Sequence, residues 1–149
     1  MRLWRLVKRK FAPGLDGEGA RLVGGRWNSP GVPVIYCASS VALAALEQFV
    51  HIPPDLRSGA MLPPLMLIGL DLDDDLIGQS GLATAPETEA ARQIGNKWIA
   101  ARASLALSVP ARTVPFDRNI LINPRHPDMQ RVKVVVSAPF AFDSRLTPG

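Results

Sequence analysis

Val32-Pro33-Val34-Ile35-Tyr36-Cys37-Ala38-Ser39-Ser40-Val41-Ala42-Leu43-Ala44-Ala45-Leu46-Glu47-Gln48-Phe49-Val50-His51 decides the character of the chain. Val32 to Ala38 is an apolar run behind the Ser29-Pro30-Gly31 turn, as a buried strand requires. Ser39 or Ser40 then offers a side-chain oxygen to a helix N-terminus, and the residues that follow are rich in helix formers. That helix runs to about His51, before Pro53-Pro54 stops it. A short buried strand passes directly into a mostly apolar helix.

The flanks repeat this mixture without a regular strand–helix–strand rhythm. Arg2 to Val7 alternates well enough for a first strand, and Ala12 to Gly25 reads as loop, with Pro13, Gly14, Asp16, Gly17 and Gly19 in quick succession. Leu65 to Leu72 is an apolar run bounded by prolines and by Asp73-Asp74-Asp75, and is predicted as a strand. Thr84 and Pro86 open a second helix, about Glu87 to Ser104, with Ala91, Ile94, Trp98 and Ile99 on its inner face. Three short strands follow, at about 106–109, 119–122 and 133–136, with Ala141 beyond. His126-Pro127-Asp128-Met129 reads as a turn or a short helix. Interspersed strands and helices predict an α+β fold rather than a doubly wound sheet.

Bulk properties bound the rest. A chain of 149 residues suits one domain, 1–149. An apolar fraction of 47% supplies a full core, and a mean hydropathy of +0.11 excludes disorder over this length. A net charge of +4 and a pI near 9.8 suit an anionic partner. The single cysteine, Cys37, permits no internal disulfide and reads as a buried structural thiol, which fits a reducing cytoplasm. No apolar stretch approaches a membrane span. Residues 1–5 scatter charge where a secretory signal needs an apolar core.

Chemistry concentrates between Leu15 and His51. In Gly24-Gly25-Arg26-Trp27-Asn28, two glycines let a backbone approach a bulky anion, and the arginine can fork onto phosphate or carboxylate oxygens. Tyr36, in the strand, offers a flat face and a hydroxyl. Glu47 is the odd residue of an apolar helix: it lies in a cleft, at the core edge, or towards solvent. His51 is four residues on, on the same helical face. Neither the G-x-G-x-x-G nor the G-x-x-x-x-G-K-[ST] pattern occurs.

Three pieces together resemble the RES domain. They are Gly17-Glu18-Gly19-Ala20-Arg21 with Gly24-Gly25-Arg26-Trp27-Asn28-Ser29-Pro30-Gly31; Val34-Ile35-Tyr36 with Ala45-Leu46-Glu47-Gln48-Phe49-Val50-His51; and Asn119-Ile120-Leu121-Ile122-Asn123-Pro124-Arg125-His126-Pro127-Asp128. The likeness spans Leu3 to about Val136. It implies an ADP-ribosyltransferase-like fold, with two small mixed or antiparallel sheets forming a cleft flanked by helices. It also implies a bacterial toxin that consumes NAD as substrate, without a metal, by breaking the nicotinamide–ribose bond. Water, phosphate and a protein side chain all stay open as acceptor. Glu47 matches the family glutamate and would orient a ribose hydroxyl and face the developing positive charge. Arg26 matches the arginine, for the diphosphate or nearby ribose oxygens. Tyr36 would stack on nicotinamide, and Arg5 is a further phosphate candidate. Asn28, Asn123 and His126 would brace loops around the cleft, with His51 as a possible support. The family serine falls where this chain has Ala111; Ser108 and Thr113 are neighbours offset from that position. The implied partner is a helix-turn-helix antitoxin that blocks the cleft.

Rival readings have weaker signals. Arg2, Arg5, Lys8, Arg9 and Lys10 make the amino end basic around Trp4, but no helix carries a continuous basic face for a nucleic acid. The only histidines, His51 and His126, form no H-E-x-x-H pair, and Asp71, Asp73, Asp74 and Asp75 lack the spacing of a calcium loop. An NAD-binding protein without turnover is a third reading.

Overall fold

The computed structural model describes residues 1–149. Seven strands and three α-helices alternate irregularly: β1 (Arg2–Lys8), α1 (Glu18–Val23), β2 (Ile35–Ala38), α2 (Val41–Val50), β3 (Leu65–Asp71), β4 (Ile77–Gln79), α3 (Thr88–Ala101), β5 (Ala106–Pro110), β6 (Arg118–Ile122) and β7 (Lys133–Phe140). The α+β expectation holds. All the expected strands and the two long helices are present, within a few residues of their predicted ends. Ser40 is the cap of α2, its Oγ accepting from the Leu43 N–H at 3.1 Å.

Two elements were not expected. α1 lies inside the stretch read as loop. Gly17, in the left-handed region at φ 70°, turns the chain into it, and the Asp16 carboxylate accepts from the Glu18 N–H. β4 is three residues long and pairs parallel to β5.

The strands form one mixed sheet in the order β4-β5-β6-β2-β1-β3-β7, where two small sheets were expected. The reason lies in β1. One edge of β1 ladders with β3 along its whole length, from Arg2↔Asp71 to Lys8↔Leu65. Its other edge meets β2 at Trp4↔Ala38 alone. A single residue pair therefore joins the half β4-β5-β6-β2 to the half β1-β3-β7.

Strand alternation assigns side chains to the two faces. Leu3, Val7, Ile35, Cys37, Ile68, Leu70, Ile120 and Ile122 lie in the main core on one face. On the other face α3 covers Trp27, Val34, Leu107, Val109 and Leu121 through Ala91 and Trp98. α2 covers Ala38 and Ala111 through Leu43 and Ala44, with Trp4 packed against them. No helix is long and apolar enough to cross a membrane.

Candidate active site

The paired glycines and Arg26 lie on a turn that α3 holds from one side. Three residues at helical spacing do this. Arg92 Nε donates to the Gly25 carbonyl at 2.9 Å. Asn96 accepts from the Ser29 N–H at 3.0 Å and donates to Ser29 Oγ at 2.8 Å. Gly95 lies so close to Trp27 that a Cβ there would sit 1.7 Å from the Trp27 carbonyl oxygen, so only glycine lets the helix approach.

Tyr36 holds the same turn from the sheet. Its hydroxyl donates to Asn28 Oδ1 at 2.5 Å and accepts from the Trp27 N–H at 3.0 Å. Asn28, fully buried, donates in turn to the carbonyls of Ala20 and Val32 at 2.9 and 2.8 Å. A Cβ on Gly25 would fall 2.7 Å from the Tyr36 hydroxyl, which explains the second glycine of the pair. Burial pushes the Tyr36 phenol up to about 12, so it stays a donor at neutral pH. Its hydroxyl is spent on the turn, and only its ring is left for a ligand.

Arg26 is thereby held half-buried, with Nη1 donating to the Pro86 carbonyl at 3.0 Å. Its pKa is lowered, first by burial and then by the nearby Arg112, with Glu87, Glu47 and Tyr36 acting in the opposite sense. Arg26 is therefore a cation that several neighbouring charges act on, and no carboxylate reaches ion-pair distance of it. Glu47 is half-buried on α2, and its Oε1 accepts from Asn119 Nδ2 at 2.9 Å. Its second carboxylate oxygen has no protein partner. Asn119 belongs to β6, opposite Ala38 and Val109, on the helix-covered face.

Arg26, Tyr36, Asn28 and Glu47 therefore share one region of one face. The other candidates do not join them. Arg5 alternates with Trp4 and projects on the opposite face, beside Leu3 and Val7. Its Nε and Nη1 are buried without a partner. His51 is exposed at the end of α2, its Nδ1 2.7 Å from the Glu47 backbone oxygen rather than the carboxylate. Asn123 is buried and accepts from the Arg125 N–H at 3.0 Å, and His126 Nδ1 accepts from the Asp128 N–H at 3.0 Å. Both order the turn after β6.

Ala111 is buried against Ala38, Leu43 and Ala44 and brings no hydroxyl. Ser108 projects on the opposite face, where its Oγ accepts from Arg118 Nε at 3.0 Å. Thr113 is half-buried on the turn between β5 and β6. Asn119, Arg92, Asn96 and Arg112 were not singled out from the sequence. Asn119 opens the Asn119–Asp128 signature, which was its one available signal. No group of three or more His, Cys, Asp or Glu side chains is arranged to hold a metal ion.

Comparison with known proteins adds a family. The RES domain matches residues 2–143. A "Toxin Res" of Yersinia enterocolitica is 37% identical, over 98% of this chain and 99% of its own length. A "Prs ADP-ribosylating toxin" of Sphingobium sp. is 34% identical, over 96% of this chain and 94% of its own length. Among solved structures, the M. tuberculosis MbcT-MbcA toxin-antitoxin complex holds a chain similar in fold, with a TM-score of 0.68 at 19% identity. That likeness covers 93% of this chain and 83% of the other.

Proposed function

This chain belongs to the RES-domain family, and we propose from that premise that it is the toxin of a toxin–antitoxin pair and consumes NAD at the Arg26–Glu47 site. The observation that carries the reading is a half-buried Arg26 with one carbonyl contact and no ion pair, on the helix-covered side of the sheet that also carries a Glu47 carboxylate with one free oxygen. A dinucleotide has matching parts: an anionic diphosphate for the arginine, and a ribose for the glutamate. These residues fit NAD.

When bound, NAD supplies a nicotinamide–ribose bond that breaks with loss of a neutral amide. The chain's own groups do the rest. Asn119 fixes the Glu47 carboxylate through Oε1, and the other oxygen takes a ribose hydroxyl and faces positive charge as it develops there. Arg26 orients the diphosphate and so aims the ribose at Glu47. Tyr36 and Asn28 position Arg26 through the turn, and the Tyr36 ring is the stacking surface for nicotinamide. ADP-ribose then passes to water, phosphate or a protein side chain. The name of the Sphingobium relative favours a protein acceptor. An antitoxin with a helix-turn-helix domain, covering this hollow, completes the reading; the fold neighbour from M. tuberculosis is itself part of a toxin–antitoxin complex.

The test follows free nicotinamide from purified protein and NAD, with product masses recorded with and without phosphate. Glu47→Gln keeps the shape and the Asn119 contact but removes the charge. It is expected to lower release by at least about a thousandfold while the melting temperature holds. Equal turnover in that variant removes Glu47 from the chemistry.

A further inference from the structure

We propose that Phe142 is a positioning residue for Glu47: with the chain that follows β7, it ties the last turn of α2 to the outer edge of the sheet. This rests on the reading that Glu47 acts on NAD, and it names what holds the helix that carries Glu47.

The two halves of the sheet meet at Trp4↔Ala38 alone, and α2 packs over that join. Leu43 and Ala44, early in the helix, pack on Ala38 of β2 and on Ala111 just past β5. Glu47 comes next, and Asn119 of β6 holds its carboxylate. These contacts all tie the helix to the β4-β5-β6-β2 half. Phe49 and the last turn lie beyond them.

Three aromatic rings connect that last turn to the other half. Phe142 packs edge-on against Phe49, with centroids 5.5 Å apart at 66°, and against Phe140, at 5.3 Å and 90°. Phe140 ends β7 and pairs with Leu65 of β3, so the rings run from the Glu47 helix to the outer strands. The Arg57 guanidinium lies 4.5 Å from the Phe49 ring centroid, and its Nε donates to the Ile52 carbonyl at 2.9 Å. The chain beyond Phe142 is tied down as well. The carbonyl of the buried Thr147 accepts from the Gly59 N–H at 3.2 Å, and Ser58 Oγ donates to the Gly149 carbonyl at 2.9 Å. Residues 141–149 are thus a strap fastened to the connection between α2 and β3, and Phe142 is its pin.

Edge-to-face pairs fix the direction of packing as well as adding area. Glu47 is two residues from Phe49, so loss of the pin frees its end of the helix. Arg26 stays in place, because Tyr36 and α3 hold its turn. A group that acts as charge develops is then misplaced while the diphosphate anchor is intact, which lowers kcat and spares KM.

The experiment measures nicotinamide release from NAD by the whole protein in Phe142→Ala, Phe142→Leu and Phe142→Tyr, with Val136→Ala as a loss of packing elsewhere on β7. The kcat is expected to fall about tenfold in Phe142→Ala, with KM within about twofold of the wild type. Phe142→Leu keeps apolar bulk without the ring and should lose part of kcat; Phe142→Tyr restores the ring and should recover it. Val136→Ala should lower the melting temperature and leave kcat alone. Hydrogen exchange at the amides of residues 45–50 is a readout independent of turnover, faster in Phe142→Ala and Phe142→Leu and unmoved in Val136→Ala. Unchanged exchange in the Phe142 variants overturns the strap. So does a kcat loss that Val136→Ala shares, which is a loss of global stability, or a change in KM alone. If the wild type releases no nicotinamide, the reading of the site fails, and exchange still decides whether Phe142 holds the Glu47 helix.

Discussion

At the scale of single residues, charge without a partner separates the two arginines read as phosphate ligands. Arg26 is half-buried with a single carbonyl contact, so a ligand can reach its free nitrogens. Arg5 is different. Its Nε and Nη1 lie buried without any acceptor, and its Nη2 lies beside Gly14. Burial lowers the pKa of its guanidinium, and the fields of Cys37 and Asp16 offset this only in part. A buried cation with no ion pair and two nitrogens without an acceptor destabilises a fold by up to several kcal/mol. Arg5→Met keeps most of the side-chain volume and removes the charge. It is expected to raise stability by about 1 kcal/mol or more, read as a higher urea midpoint at unchanged slope. A lower midpoint would show that Arg5 is compensated in the fold. The sequence placed Arg5 beside Trp4 correctly, but pairing on both edges of β1, which decides where an alternating side chain matters, depends on strands far along the chain.

At the scale of elements, the turn at 24–29 explains both what the sequence disclosed and what it hid. Glycines before an arginine announced a tight turn, which occurs, and the close approach seen at Gly25 is that of the Tyr36 hydroxyl, where the sequence suggested an anion. The sequence could not show that Tyr36 spends its hydroxyl on this turn, because the bond joins a strand to a loop across a sheet face. It could not show that Arg92, Gly95 and Asn96 make one helical face against the turn, because their partners lie 67 or 68 residues away. Asn119 was hidden for the same reason: its amide reaches Glu47 across 72 residues. Tyr36→Phe tests the element. Without the hydroxyl, the Trp27 N–H and Asn28 Oδ1 each lose a partner in a sparsely hydrated place, at a cost of about 1–3 kcal/mol. Arg26 rides on that turn, so the KM for NAD should rise as the melting temperature falls. A variant as stable as the wild type with an unchanged KM would separate Tyr36 from the placement of Arg26.

At the scale of the whole molecule, the sheet is the surface on which everything else is registered. Two of its buried acids make it sensitive to alkali. β2 carries both, Cys37 towards the main core and Tyr36 towards α3, so the four-residue strand beside the narrow Trp4↔Ala38 join is where high pH acts. Burial pushes the Cys37 thiol from an ordinary 9.0 up to about 11, and the Tyr36 phenol from 10.0 up to about 12. Both groups are neutral when protonated, so the folded state holds its protons longer than the unfolded one. Below pH 9 both states keep both protons, and stability does not depend on these groups. Between pH 9 and 11 the unfolded thiol ionises while the folded one does not, and stability falls by about 1.4 kcal/mol per pH unit. The phenol adds its own loss between pH 10 and 12. Unfolding in urea at steps from pH 8 to 11.5 should therefore show a plateau and then a decline that begins near pH 9. Cys37→Ala removes the first of the two losses. Its decline should begin about one pH unit later, from a lower plateau, because a smaller side chain leaves a void in the core. A wild-type plateau that extended to pH 11 would mean that the thiol and phenol ionise in the folded sheet as readily as in the unfolded chain, and that β2 is open to water where the fold buries it.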